Sequence, residues 1–74
     1  MLEAHIREDG YDYIIEASWM PFLAGKYNYV AKLRTATNGK GKDVTGRTTS
    51  REEYGATPGE AIDKILESAR AVFG

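Results

Sequence analysis

The chain has no cysteine and a single histidine, His5, among its 74 residues. Without thiols there are no disulfide staples, no thiolate metal ligands and no cysteine nucleophile, a usage that fits a reducing compartment. Long apolar runs are also missing. Nothing approaches the roughly 18 residues that a membrane-spanning helix needs, and the start Met1-Leu2-Glu3-Ala4-His5-Ile6-Arg7 lacks the apolar centre of a secretory signal. These absences lead us to expect a soluble, cytoplasmic protein. Proline is scarce, with two residues, and the formal charge is only −1. No bulk excess of charge drives the chain to one class of partner.

What is present is enough for one small core. Apolar residues make up 42% of the chain and aromatic ones 11%, so a folded state is expected rather than disorder. At this length only one domain fits, spanning residues 1–74, close to the size at which a single core just suffices. The small net charge conceals segregation. Residues 1–25 set Glu3, Glu8, Asp9, Asp12 and Glu16 against Arg7, whereas residues 26–51 set Lys26, Lys32, Arg34, Lys40, Lys42, Arg47 and Arg51 against Asp43. Residues 52–74 are acidic again, with Glu52, Glu53, Glu60, Asp63 and Glu67 against Lys64 and Arg70. A basic middle between acidic ends either steers an anionic partner to one face, allows head-to-tail pairing, or is ordinary strand solvation.

Periodicity supplies the elements. Tyr11, Tyr13, Ile15, Ala17 and Trp19 alternate with polar residues, which predicts a half-buried strand over 11–19. A shorter strand over 2–7 can pair with it through Glu8-Asp9-Gly10, since Asp-Gly tolerates the positive φ of a tight hairpin. Alternation recurs over 27–35, with Tyr27, Tyr29, Ala31 and Leu33 inward and Asn28, Lys32 and Arg34 outward; Val30 interrupts the polar side. Thr37 to Asp43 is polar and glycine-rich, hence an exposed, mobile hairpin tip. A further strand is expected over 43–53, with Val44, Gly46, Thr48 and Ser50 on a weak inner face and charges guarding an edge.

The clearest local signal follows. Thr57-Pro58-Gly59-Glu60 combines a capping hydroxyl, proline at the first helical position and a glutamate three residues after the cap. From Ala61 onward Ile62, Ile65, Leu66, Ala69, Val72 and Phe73 form one helical stripe. Such a stripe must be buried against a sheet. The predicted fold is α+β: an antiparallel meander of three or four strands, then one C-terminal helix packed on one sheet face.

Catalysis finds little to work with. General acid–base and nucleophilic chemistry need groups gathered in a pocket, and His5 has no partner fixed by spacing. The carboxylates Glu8-Asp9-x-x-Asp12 and Glu52-Glu53 lack calcium-loop spacing, and Gly39, Gly41 and Gly46 do not form a phosphate loop leading into a helix. We therefore expect no catalytic residues, no metal site, no cofactor, no small-molecule substrate and no enzyme activity.

Two features are suited to binding macromolecules. Trp19, Met20, Phe22 and Leu23 cluster around Pro21 where a polar loop would be ordinary, and either fold back over the core or anchor a protein interface. If Ile14 and Val30 lie on the helix-free face, they would extend that patch. The basic segment offers Lys32, Arg34, Lys40, Lys42, Arg47 and Arg51 as phosphate contacts on a ribbon of the width a DNA major groove admits.

Glu8-Asp9-Gly10-Tyr11, the strand to Trp19, Met20-Pro21, and Tyr54-Gly55-Ala56-Thr57-Pro58-Gly59-Glu60-Ala61 together resemble the HicB-like antitoxin domain over about half the chain. That resemblance implies a non-catalytic regulator that binds a small protein partner, often as a homo-oligomer. The chain departs from the family pattern by the whole basic segment between the Pro21 loop and the helix, and by Phe22-Leu23-Ala24 in place of Gly-Cys. Residues 27–71 are also similar to the three-stranded-sheet DNA-binding domains of ethylene-response factors and of integrase arm-binding domains. There the outward positions Lys32, Arg34, Arg47 and Arg51 would meet DNA. The leading expectation is a protein-binding regulatory module; the alternative is nucleic-acid binding through residues 28–51.

Overall fold

In the computed structural model, residues 1–21, 28–48 and 51–73 are described. Four strands, β1 (Leu2–Glu8), β2 (Tyr11–Trp19), β3 (Tyr29–Thr37) and β4 (Glu52–Gly55), form one antiparallel sheet in the order β1-β2-β3-β4, followed by the helix α1 (Pro58–Phe73). This is the meander with a C-terminal helix that the periodicity predicts. The β1–β2 turn needs only Asp9 and Gly10, both at positive φ (52° and 82°). That is the backbone twist a two-residue hairpin requires.

The inward residues of β2, Tyr13, Ile15 and Ala17, are buried together with Ala31, Leu33 and Ala36 of β3 and Ala61, Ile62, Ile65, Leu66 and Ala69 of α1. The Thr57 hydroxyl accepts the Glu60 N–H at 3.1 Å, so α1 begins where the capping motif directs. The helix lies diagonally. Its first turn sits on Gly55 of β4, where an added Cβ would stand 2.6 Å from the Ala61 nitrogen. Its last turn reaches the far end of the sheet on the β2 and β1 side, where Phe73 stacks on Tyr11 with ring centroids 4.7 Å apart. There Arg70 forks the Glu8 carboxylate through Nε and Nη2, both at 2.8 Å.

Two expectations are corrected. β3 runs on to Thr37, and a bulge sets Ile14 opposite Thr35 but Ile15 opposite Leu33, which leaves Arg34 as the extra residue. The bulge shifts the inward phase, so Ala36 rather than Thr35 enters the core. The strand expected over 43–53 is mostly a turn: Asp43 makes a single bridge to Thr37, Thr45–Arg47 form one 3-10 turn, and β4 is confined to Glu52–Gly55. Hydroxyl chemistry is the reason. Thr45 Oγ1 accepts the Ala36 N–H at 2.8 Å and donates to Asp43 Oδ1 at 2.5 Å, while Thr48 Oγ1 donates to the Thr45 carbonyl at 2.8 Å. Local side-chain bonds of this kind compete with a strand ladder, and here they prevail.

Candidate functional site

Strand parity sorts the exposed residues onto two faces. Trp19 continues the series Tyr13, Ile15, Ala17 and so lies on the helix side, yet it is 63% exposed. The diagonal helix accounts for this. Trp19 pairs with Tyr29, which pairs with Gly55, so Trp19 stands at the sheet end where α1 covers β4. At that end α1 does not reach the β1 side. Leu2, opposite Ala17 in register, is 51% exposed on the same face. Trp19 and Leu2 thus form an apolar corner beside the outer edge of β1.

Met20 is half-buried and its N–H donates to the Asn28 carbonyl at 2.7 Å. Phe22 and Leu23 lie outside the described residues. Ile14 and Val30 do lie on the helix-free face, where Ile14 pairs with His5 and Thr35 and Val30 with Ser18 and Tyr54, but they do not extend the Trp19 patch, because Trp19 is on the helix side. Val30 is buried there, and Tyr54 is 40% exposed.

The basic residues do not share one surface. Arg47 sits in the 3-10 turn with its guanidinium 5.5 Å from the Phe73 ring centroid, which puts it on the helix side rather than at an outward strand position. Lys40 and Lys42 occupy the exposed tip, whose backbone is tied by Asn38 Oδ1 accepting both of their N–H groups at 2.9 and 3.0 Å. Lys32 and Arg34 are exposed on β3 but face acids: Lys32 lies 3.7 Å from Glu52 and Arg34 3.4 Å from Glu16. Arg51 joins them where β4 has not yet begun, with its carbonyl accepting the Leu33 N–H at 2.8 Å. Lys32, Arg34, Arg51, Thr35 and Glu52 line an open depression of about 370 Å³.

On β1 the charges alternate along the helix-free side. His5 Nε2 stands 2.6 Å from Glu3 Oε1, and Arg7 Nε 3.4 Å from Asp12 Oδ1. Two carboxyls are held below their ordinary range by hydrogen bonds, Glu8 by Arg70 and Asp43 by the Thr45 hydroxyl, while burial pushes the Tyr13 phenol up. Among the described residues no group of three His, Asp or Glu side chains could hold a metal ion, and no helix is long and apolar enough to cross a membrane.

Sequence reading overlooked β1 as a binding element. Its signal was available as a proline-free strand at a sheet edge with alternating charge, but which strands form the edges is known only from the topology. No protein-family model, no curated protein and no solved structure matches the chain, so the HicB-like and three-stranded-sheet resemblances rest on their motifs alone.

Proposed function

We propose that the protein is a non-catalytic interaction module that binds a protein partner through the sheet corner its helix leaves uncovered. The observation that carries this reading is Trp19, 63% exposed beside Leu2 at the open edge of β1. A small domain has little apolar area to spare, and tryptophan is the residue type most often found at the energetic centre of interfaces. The single histidine is 66% exposed on β1 against Glu3, in an open depression that Arg7 and Asp12 share, so water rather than a buried partner surrounds its ring. Trp19→Ala should abolish co-purification of the partner while the helical signal in circular dichroism is retained. Capture unchanged by Trp19→Ala would refute the reading.

One observation favours a second reading. Lys32, Arg34 and Arg51 converge on one depression, which would suit a phosphate-bearing ligand such as nucleic acid. Glu16 and Glu52 already face two of the three cations, so few phosphates can be neutralised and the site would bind weakly, with a shallow salt dependence. Titration with random duplex DNA at about 50 and 200 mM salt separates the two readings. Low-salt binding lost on neutralising Lys32 and Arg34 favours nucleic acid; silence at both salts favours the corner.

A further inference from the structure

The hairpin geometry fixes which way the main chain of β1 points. In a two-residue hairpin the residues flanking the turn, here Glu8 and Tyr11, exchange both main-chain hydrogen bonds, and such pairs then alternate along the strands. Ala4, Ile6 and Glu8 therefore turn their N–H and C=O groups toward β2. Glu3, His5 and Arg7 turn theirs to the outer edge, where the sheet order sets no further strand among the described residues. The register from Leu2 to Glu8 is continuous, so the edge carries neither a bulge nor a proline to blunt it. Three outward sets of donors and acceptors, at alternate positions of a regular seven-residue strand, make a template for another strand.

The side chains on that edge are self-complementary. We propose that β1 pairs with β1 of a second copy, antiparallel about a two-fold axis through His5, to join the two sheets into one of eight strands. This inference rests on the reading of the β1 corner as an interaction surface and names its occupant. About that axis His5 faces His5, Glu3 faces Arg7 twice, Ala4 faces Ile6 twice, and Leu2 faces Glu8 twice. The three positions with outward main-chain groups therefore pair only with one another, in the hydrogen-bonded type of pair. Glu3 and Arg7 side chains, 49% and 75% exposed, share the helix-free face and have room to meet across the join. A slip of two residues one way brings Arg7 against His5, and the other way leaves Arg7 opposite Met1 with only Glu3 against His5, so the two full Glu3–Arg7 ion pairs favour the His5-centred register.

The other face closes as well. Ala4 and Ile6 are half-buried against the core of their own copy, and the join sets each beside the other's counterpart. Leu2 comes opposite Glu8 of the second copy, whose carboxylate holds Arg70 in the last turn of α1. The second copy's helix end is thus brought up beside the exposed Leu2, at the corner where the first copy's helix is missing. A C2 interface of this kind uses one patch twice.

Charge reversal tests the pairing. Glu3→Arg sets two arginines against each other at both contacts, and Arg7→Glu sets two glutamates, so each variant alone should dissociate about ten-fold or more readily in sedimentation velocity. Mixed in equal amounts, the two variants present opposite charges at both contacts and should re-form a dimer close to wild-type strength. That recovery cannot come from misfolded chains. A wild-type chain that stays monomeric at the highest concentration reached overturns the proposal, as does a dimer indifferent to both reversals. If the chain is monomeric but its capture of a different protein still depends on Trp19, the self-pairing falls while the protein-binding reading stands.

Discussion

Replacing Gly55 by alanine tests how the helix is seated on the sheet. The new Cβ would lie 2.6 Å from the Ala61 nitrogen, 3.0 Å from Glu60 Cβ and 3.1 Å from Ala61 Cα, all in the first turn of α1. Two of these three are backbone atoms, which cannot swing aside as a side-chain tip would. Ordinary contact begins at 3.4 Å, so the start of the helix must lift by about 0.8 Å, loosening Ala61, Ile62 and Ile65 over the sheet. Overpacking of this kind costs about 1–3 kcal/mol, offset by up to about 1 kcal/mol because alanine narrows the unfolded ensemble. The net loss, centred on about 1.5 kcal/mol, corresponds to a fall in Tm of about 6–12 °C for a domain of this size. Thermal unfolding followed by circular dichroism measures it. Gly59→Ala is the control, since its Cβ meets nothing within 4 Å and alanine favours a helix by about 1 kcal/mol over glycine. A Gly55→Ala protein that melts at or above the wild-type temperature would refute the close seating of α1 on β4.

Three further outcomes follow from the packing and the charges. Thr45→Val keeps the side-chain shape but leaves the Ala36 N–H without its acceptor; denaturant titration should show a loss of about 1–3 kcal/mol, and no change would mean the hydroxyl does not hold the turn. Ile65 is 1% exposed, so Ile65→Ala should cost about 2–5 kcal/mol. That approaches the whole stability of a domain this small, roughly 4–11 kcal/mol, and a variant as stable as wild type would contradict the core described here. Glu8 and Asp43 bind protons less readily folded than unfolded. Their contribution is therefore complete above the ordinary carboxyl values of 4.5 and 3.8 and is lost as pH falls through the lowered ones. Tm should drop on acidification in that window, less steeply in Glu8→Gln; a flat profile would contradict the Arg70 and Thr45 contacts.

Most of the architecture could be read from local signals. The Tyr11 to Trp19 alternation and the Thr57-Pro58-Gly59-Glu60 cap each specify an element without help from distant residues, and both are found where they were expected. The segment from Asp43 to Thr48 misled because threonine suits a strand and also bonds its own backbone neighbourhood. Only the nearness of Ala36 and Asp43 to Thr45 decides between the two. The Arg34 bulge was equally hidden, since it depends on how β3 lies against β2. Parity alone assigns Trp19 to the buried side; its exposure arises from the diagonal course of α1, which no strand pattern encodes. The same holds for the basic residues, which the 3-10 turn divides between faces.

The most direct measurement is amide hydrogen exchange along β1 at low and high protein concentration. Ala4, Ile6 and Glu8, bonded to β2, should be protected at both. Glu3, His5 and Arg7 should exchange freely when dilute and gain protection together as concentration rises, because their N–H groups are the ones that meet the second copy. Fast exchange of those three amides at every concentration would contradict the pairing of β1 with itself.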